Sequence, residues 1–125
     1  MIDFKNGSFI KMKNVDNSVA AEKVAPLLVE GETIISSYKD IRDLVVFTDK
    51  RLIAVNVKGL MGRKIDYTTL PYKKITCYSI ETAGTFDIDT ELELYYSGVG
   101  KVKFEFSGAT DIVQIGTLIS SSMLE

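Results

Sequence analysis

The chain has 125 residues, 46% apolar and 26% charged, with a net charge of -2; that length fits one domain with one core, and the near-neutral balance gives no reason to expect a nucleic-acid partner. A single cysteine, Cys77, excludes an intrachain disulfide and suits a reducing, cytoplasmic setting. The longest purely apolar run, Leu44 to Phe47, falls far short of the roughly 18 residues of a membrane span, so a soluble protein is expected.

Met1 to Lys13 places Ile2, Phe4, Phe9, Ile10 and Met12 among lysines and turn formers with no clean period, and is read as an N-terminal arm preceding a single domain over residues 14–125. Asp16, Asn17 and Ser18 then offer N-cap side chains to a short helix whose apolar face runs from Val19 to Leu28. Pro26 removes a backbone donor and biases Ala25 away from helical angles, so the helix should end near Ala25.

Seven short strands follow between Thr33 and Phe106. Ile41-Arg42 separates the first two, and Asp49-Lys50 turns the next hairpin so that Phe47 faces Leu52, Val46 faces Ile53 and Val45 faces Ala54. Both faces of that hairpin are apolar. A strand covered on one side only should alternate, so a second cover is required: the first helix, the arm or another subunit. Gly59-Leu60-Met61-Gly62 turns the chain into Lys64 to Leu70, which Pro71 ends. The run Lys74 to Thr82 puts Cys77 in phase with Ile75, which predicts a half-buried thiol. In the last hairpin Leu94 should face Val102, Leu92 face Phe104 and Glu93 pair with Lys103, leaving Tyr96 to Gly100 as the loop. Ser107, Gly108 and Thr110 can start a closing helix whose buried stripe is Ile112, Ile115, Ile119 and Met123. Seven strands and one amphipathic helix predict a rolled antiparallel sheet with a helical plug at one end.

Several of these strings carry a resemblance: Phe47 to Ile53 around Asp49-Lys50-Arg51, Gly59 to Lys64, Pro71-Tyr72, and Glu81 to Leu92. In that order they resemble the bacterial pleckstrin-homology-like domain family from the first helix onward. The resemblance implies a mainly β barrel of seven antiparallel strands in two nearly orthogonal sheets, closed by a C-terminal helix. It also implies assembly of identical subunits into rings and no established enzymatic activity.

The first inter-strand loop, Tyr38 to Asp43, alternates Lys39 and Arg42 with Asp40 and Asp43, so its charge cancels and a phosphoinositide headgroup is not expected there. Leu60 and Met61, flanked by Lys58, Arg63 and Lys64, form an apolar tip among cations that suits a neighbouring subunit or, less favoured, a lipid surface. Asp87, Asp89 and Glu91 invite a calcium reading, but an EF-hand loop from Asp87 would need glycine where Leu92 stands and glutamate where Gly98 stands. Alternation makes these carboxylates the outer face of a strand, solvated or bridging subunits. With no histidine in the chain, acid-base chemistry would fall to carboxylates, and a hydrolase using Asp87 and Asp89 is the remote alternative. The expectation is a non-catalytic, self-associating module without cofactor or metal that acts as scaffold or adaptor for an unidentified protein. Val45, Phe47, Leu52, Leu60, Met61, Asp87, Asp89 and Glu91 are its candidate contacts. A peripheral membrane module using Lys58, Arg63 and Lys64 is the runner-up.

Overall fold

The structure, a computed structural model, describes the backbone of residues 1–125 except 6, 7, 83, 85–88 and 109, and the described side chains exclude those at 8 and 10 as well. The elements are β1 (Ser8–Val15), α1 (Asn17–Val24), β2 (Ile34–Lys39), β3 (Leu44–Thr48), β4 (Arg51–Lys58), β5 (Lys64–Pro71), β6 (Cys77–Glu81), β7 (Thr90–Tyr96), β8 (Gly100–Phe106) and α2 (Ile112–Met123). The strands form one sheet in the order β5-β4-β3-β2-β1-β8-β7-β6. Neighbours are antiparallel except β1 and β8, which run parallel.

The expected N-terminal arm is therefore the eighth strand, and it occupies the middle of the sheet. Its first half pairs with β8 (Phe9 opposite Phe104) and its second half with β2 (Val15 opposite Ser37), so β1 is the seam between two antiparallel halves. A bulge between Phe9 and Met12, where Lys11 takes a positive φ of 54°, precedes the change of partner, which falls between Met12 and Lys13. The extra residue lets Phe9 and Met12, three apart, both reach the core.

The hairpin registers follow the sequence reading. Phe47 faces Leu52, Val46 faces Ile53 and Val45 faces Ala54 across β3 and β4, and Leu94 faces Val102 across β7 and β8. Tyr96 and Gly100 still pair, so the last loop shortens to Ser97, Gly98 and Val99. Glu93 does lie opposite Lys103, but the ion pairs run diagonally, Lys103 to Glu91 at 3.0 Å and Lys101 to Glu93 at 3.8 Å.

The second cover for the β3–β4 hairpin lies within the protomer. Val45, Phe47, Leu52 and Ala54 face the main core, with Tyr38 and Phe106 packed at 4.5 Å between ring centroids. Leu44, Val46, Ile53 and Val55 form a second core with Ala20 and Val24 of α1. Each of those side chains would forgo ~1.5–3 kcal/mol if left in water, which is why α1 is held where it is. Asp16 caps α1 by accepting from the Ser18 N–H at 2.9 Å, and Asn17 pins it to β2 by donating to the Ile35 carbonyl and accepting from the Ser37 hydroxyl. Pro26 sits within a short 3-10 turn, Ala25–Leu27, that leads towards Glu32.

Glu32 locks this layer. Its carboxylate accepts from Arg51 Nε and Nη2 (2.9 and 3.0 Å), the Thr48 hydroxyl (2.7 Å) and the Val29 N–H (3.0 Å). The same guanidinium donates to the Leu27 carbonyl at 2.7 Å and the Thr69 hydroxyl at 2.9 Å, joining the helix exit to β4 and β5. α2, capped by Asp111 and not by the earlier Ser107, Gly108 or Thr110, closes the barrel with Ile115 and Ile119 fully buried. Tyr78 donates to the Gly116 carbonyl at 3.1 Å, and a Cβ at Gly116 would meet Ile80 at 3.4 Å, so glycine suits the close approach of α2 to β6. Tyr78 and Ile80 point inward, which turns Cys77 outward; the thiol is exposed, not half-buried.

Burial alone would raise the pKa of Glu32, but Arg51, Thr48 and the Val29 N–H outweigh it and hold the group at about 2, below its ordinary 4.5. The native state thus binds this proton more weakly than the unfolded chain. The clamp's contribution is complete above pH 4.5 and is lost as pH falls through about 2. Glu32→Gln is expected to cost about 3 kcal/mol in urea unfolding at neutral pH, with the gap to the parent protein shrinking between pH 4.5 and 2. A gap that stayed constant through that window would show that the charge on Glu32 does not hold the layer.

Candidate functional site

With both faces of the β3–β4 hairpin buried, Val45, Phe47 and Leu52, each 0% exposed, do not serve as contacts for another subunit. Some of the large apolar side chains left in water stand at the turns between β2 and β3 and between β4 and β5. Ile41 is 93% exposed, Leu60 104% and Met61 74%. Arg42 bridges the two turns by donating from Nη2 to the Gly59 carbonyl at 2.7 Å. The turn 59–62 is closed by the Gly62 N–H on the Gly59 carbonyl, with both glycines at positive φ.

The two carboxylates of the first turn are held by neutral donors, which leaves their charge in place beside Lys39 and Arg42. Asp40 accepts from the Arg42 and Asp43 N–H groups, and Asp43 accepts from the Val57 N–H and the Asn56 amide. Both anions are engaged in building the turns. The lysines stand in opposed pairs: Lys58 faces Lys64 across β4 and β5, and Lys13 faces Lys39 across β1 and β2. Lys11, Lys13 and Lys39 line a cleft beside Ile41, so β1 brings its cations to the same end. Like charges directly opposite are destabilising, and a partner of opposite sign relieves them.

The outer face of β6, β7 and β8 has the reverse character. Glu81 faces Glu91, and Glu91 faces Glu105, a row of carboxylates across three strands. Lys103 and Lys101 answer only part of it. Burial first, then the hydrogen bond and charge of Asp89 and the charge of Glu91, raise the pKa of Glu105. Of the predicted acidic contacts, Asp89 and Glu91 belong to this cluster, and Asp87 lies outside the described residues. Among the described residues no cluster of three or more histidine, cysteine or acidic side chains is arranged to hold a metal ion.

A model of the bacterial PH domain family matches residues 3–123. The chain belongs to that family. Among its relatives, the uncharacterised protein YjqA of Bacillus subtilis strain 168 is 42% identical over 95 residues, 76% of each chain. The uncharacterised YozO of the same organism is 36% identical over 110 residues, 88% of this chain and 95% of that one. A crystal structure of a DUF1696 family protein with a pleckstrin-homology domain from Shewanella loihica PV-4 superposes with a TM-score of 0.78 at 37% identity, covering 91% of this chain and 98% of that one. The match from residue 3 agrees with β1 being part of this bacterial PH domain and not a separate arm.

Sequence reasoning placed Leu60, Met61, Lys58, Arg63 and Lys64 on one turn, and the structure keeps all of them exposed there. It set aside the Tyr38 to Asp43 loop that holds Lys39 and Ile41, and did not single out Lys11 or Lys13. Their signal was available in part: once β1 is paired with β2, Lys13 must meet Lys39.

The raised pKa of Glu105 means that the native state favours its proton, so its ionised form opposes folding, and this penalty grows as pH rises through the folded value. Glu105→Gln should raise the melting temperature of a dilute sample at pH 7, with the gain disappearing under acidic conditions where the parent carboxyl is already protonated. A lowered melting temperature at pH 7 would show that the row is fully neutralised within the protomer.

Proposed function

We propose that this bacterial PH domain is a non-catalytic, self-associating scaffold or adaptor in which the cationic, apolar tip of one copy docks on the acidic face of the next. The observation that carries this reading is the segregation of opposed like-charge pairs, lysine with lysine at the tip and glutamate with glutamate on β6 to β8. A tip-to-tip contact would set lysine against lysine. A tip-to-face contact relieves both rows and buries Ile41, Leu60 and Met61. Such a contact is head-to-tail, so it propagates and closes as a ring when the rotation permits, which is the assembly that resemblance to the family implies. The remaining polar surface is left for a protein partner, in a cytoplasmic setting where the exposed Cys77 thiol stays reduced.

A second reading has its own support: the same exposed apolar side chains among lysines suit shallow insertion into an anionic membrane surface. Light scattering coupled to gel filtration separates the two. Self-association predicts a discrete multimer at micromolar concentration that dissociates in high salt and in Leu60→Asp plus Met61→Asp, while Glu105→Gln weakens assembly even as it stabilises the protomer. A monodisperse monomer would refute it. Sedimentation with phosphatidylserine vesicles, abolished by the same double substitution, would then support the membrane reading.

A further inference from the structure

At the tip the polar side chains are engaged with the protein's own backbone while large apolar ones face water. Asp40 Oδ1 accepts from the Arg42 N–H at 2.9 Å and the Asp43 N–H at 2.7 Å, and the Asp40 N–H donates to the Asp43 carbonyl at 3.1 Å, which closes the β2–β3 turn. Asp43 ties that turn to β4, accepting from the Val57 N–H at 2.9 Å and from the Asn56 amide at 3.0 Å. Ile41, between Asp40 and Arg42, is left in water, as are Leu60 and Met61 on the neighbouring turn.

Arg42 reaches across from one turn to the other. Its Nη2 donates to the Gly59 carbonyl at 2.7 Å, and the Gly62 N–H donates to the same oxygen at 3.2 Å, so one acceptor both closes the β4–β5 turn and fastens it to the β2–β3 turn. A Cβ on Gly62 would stand 3.5 Å from that Nη2 and 3.4 Å from Val57 Cγ1, and Gly62 holds a φ of 63°, so the guanidinium lies over the turn at a position that suits glycine. A hydrogen bond from a charged donor is stronger than a neutral one, and the planar fork of arginine holds its direction. Side chains that must be ordered on docking each weaken binding, and ordering them beforehand removes that loss.

We propose that Arg42 is the positioning residue of the docking tip: its guanidinium joins the two turns into one preformed element, so that Ile41, Leu60 and Met61 meet a neighbouring copy already in place. This use of Arg42 rests on the tip being the contact between copies. It differs from a charge contact with the neighbour. Lys13, Lys39, Lys58 and Lys64 already supply the positive charge that a row of glutamates calls for, whereas the direct hydrogen bond from one turn to the other is made by Arg42. Asp40 acts one step further back, by fixing the backbone from which Arg42 extends.

The test is Arg42→Gln in the full chain, which removes the charge and shortens the reach while leaving Asp40, Asp43 and the three apolar side chains in place. In salt high enough to separate the copies, nitrogen-15 relaxation should show the backbone order parameters of Leu60 and Met61 falling from about 0.8 in the parent to below about 0.6 in the variant. The melting temperature under the same conditions should stay within about 2 °C of the parent's, as for a surface substitution. Light scattering should show self-association weakened about tenfold, by the same factor at about 50 mM and about 150 mM salt, because a lost strut is indifferent to screening. A deficit that shrinks with added salt would make Arg42 a charge contact and overturn the positioning role. Unchanged order parameters would overturn it whatever the state of assembly, and a melting temperature lowered by more than about 5 °C would show a folding role in its place. A parent that stays monomeric would refute the assembly, and the relaxation data would still decide whether Arg42 joins the turns.

Discussion

The fold depends on a hairpin that cannot be exposed on either side. β3 and β4 carry aliphatic or aromatic side chains throughout Leu44 to Phe47 and Leu52 to Val55, so one face must line a barrel while the other finds a separate lid. The lid is α1, an eight-residue helix that would be marginal in isolation. What makes it dependable is Glu32 with Arg51, which fastens the helix exit to the start of β4 and to β5 through hydrogen bonds that satisfy both charged groups. A buried ion pair of this kind adds little by its Coulomb energy alone, but it leaves few alternative seats for the helix.

Because the greasy hairpin is satisfied inside one protomer, surplus hydrophobicity cannot drive association through it. What the fold leaves outside includes rows of like charge. Lysines oppose lysines at one end and glutamates oppose glutamates across β6 to β8, pairings that are destabilising within a protomer. Ile41, Leu60 and Met61 stand exposed among those lysines.

The hairpins were legible because each is short and pinned at its turn: Asp49-Lys50 sets β3 against β4, and the alternation of leucine and glutamate leaves β7 one acceptable register. β1 was not legible, since Phe9 and Met12 break the two-residue period and only the bulge at Lys11 reconciles them. Cys77 was misplaced for a related reason. The 3-10 turn Tyr72–Lys74 comes just before β6, so the phase of Ile75 does not carry into the strand. Half of the candidate site was visible as the Gly59 to Lys64 turn. The rest depends on which strand lies beside β2, information that belongs to topology and not to any local pattern.

The parallel contact between β1 and β8 joins the first strand to the last. In a chain made from its N-terminus, Phe9 must wait for Phe104 to be synthesised before the stack between them can form, 5.4 Å apart in the finished protein. Contacts of such wide sequence separation slow folding. The β2–β5 half can assemble early around its own hairpins, while completion of the barrel is deferred until the ribosome has released nearly the whole polypeptide. A truncation that removed β8 would therefore strand the N-terminal strand without its neighbour, and nascent chains halted before that point should remain clients of the chaperones that guard unpaired edges.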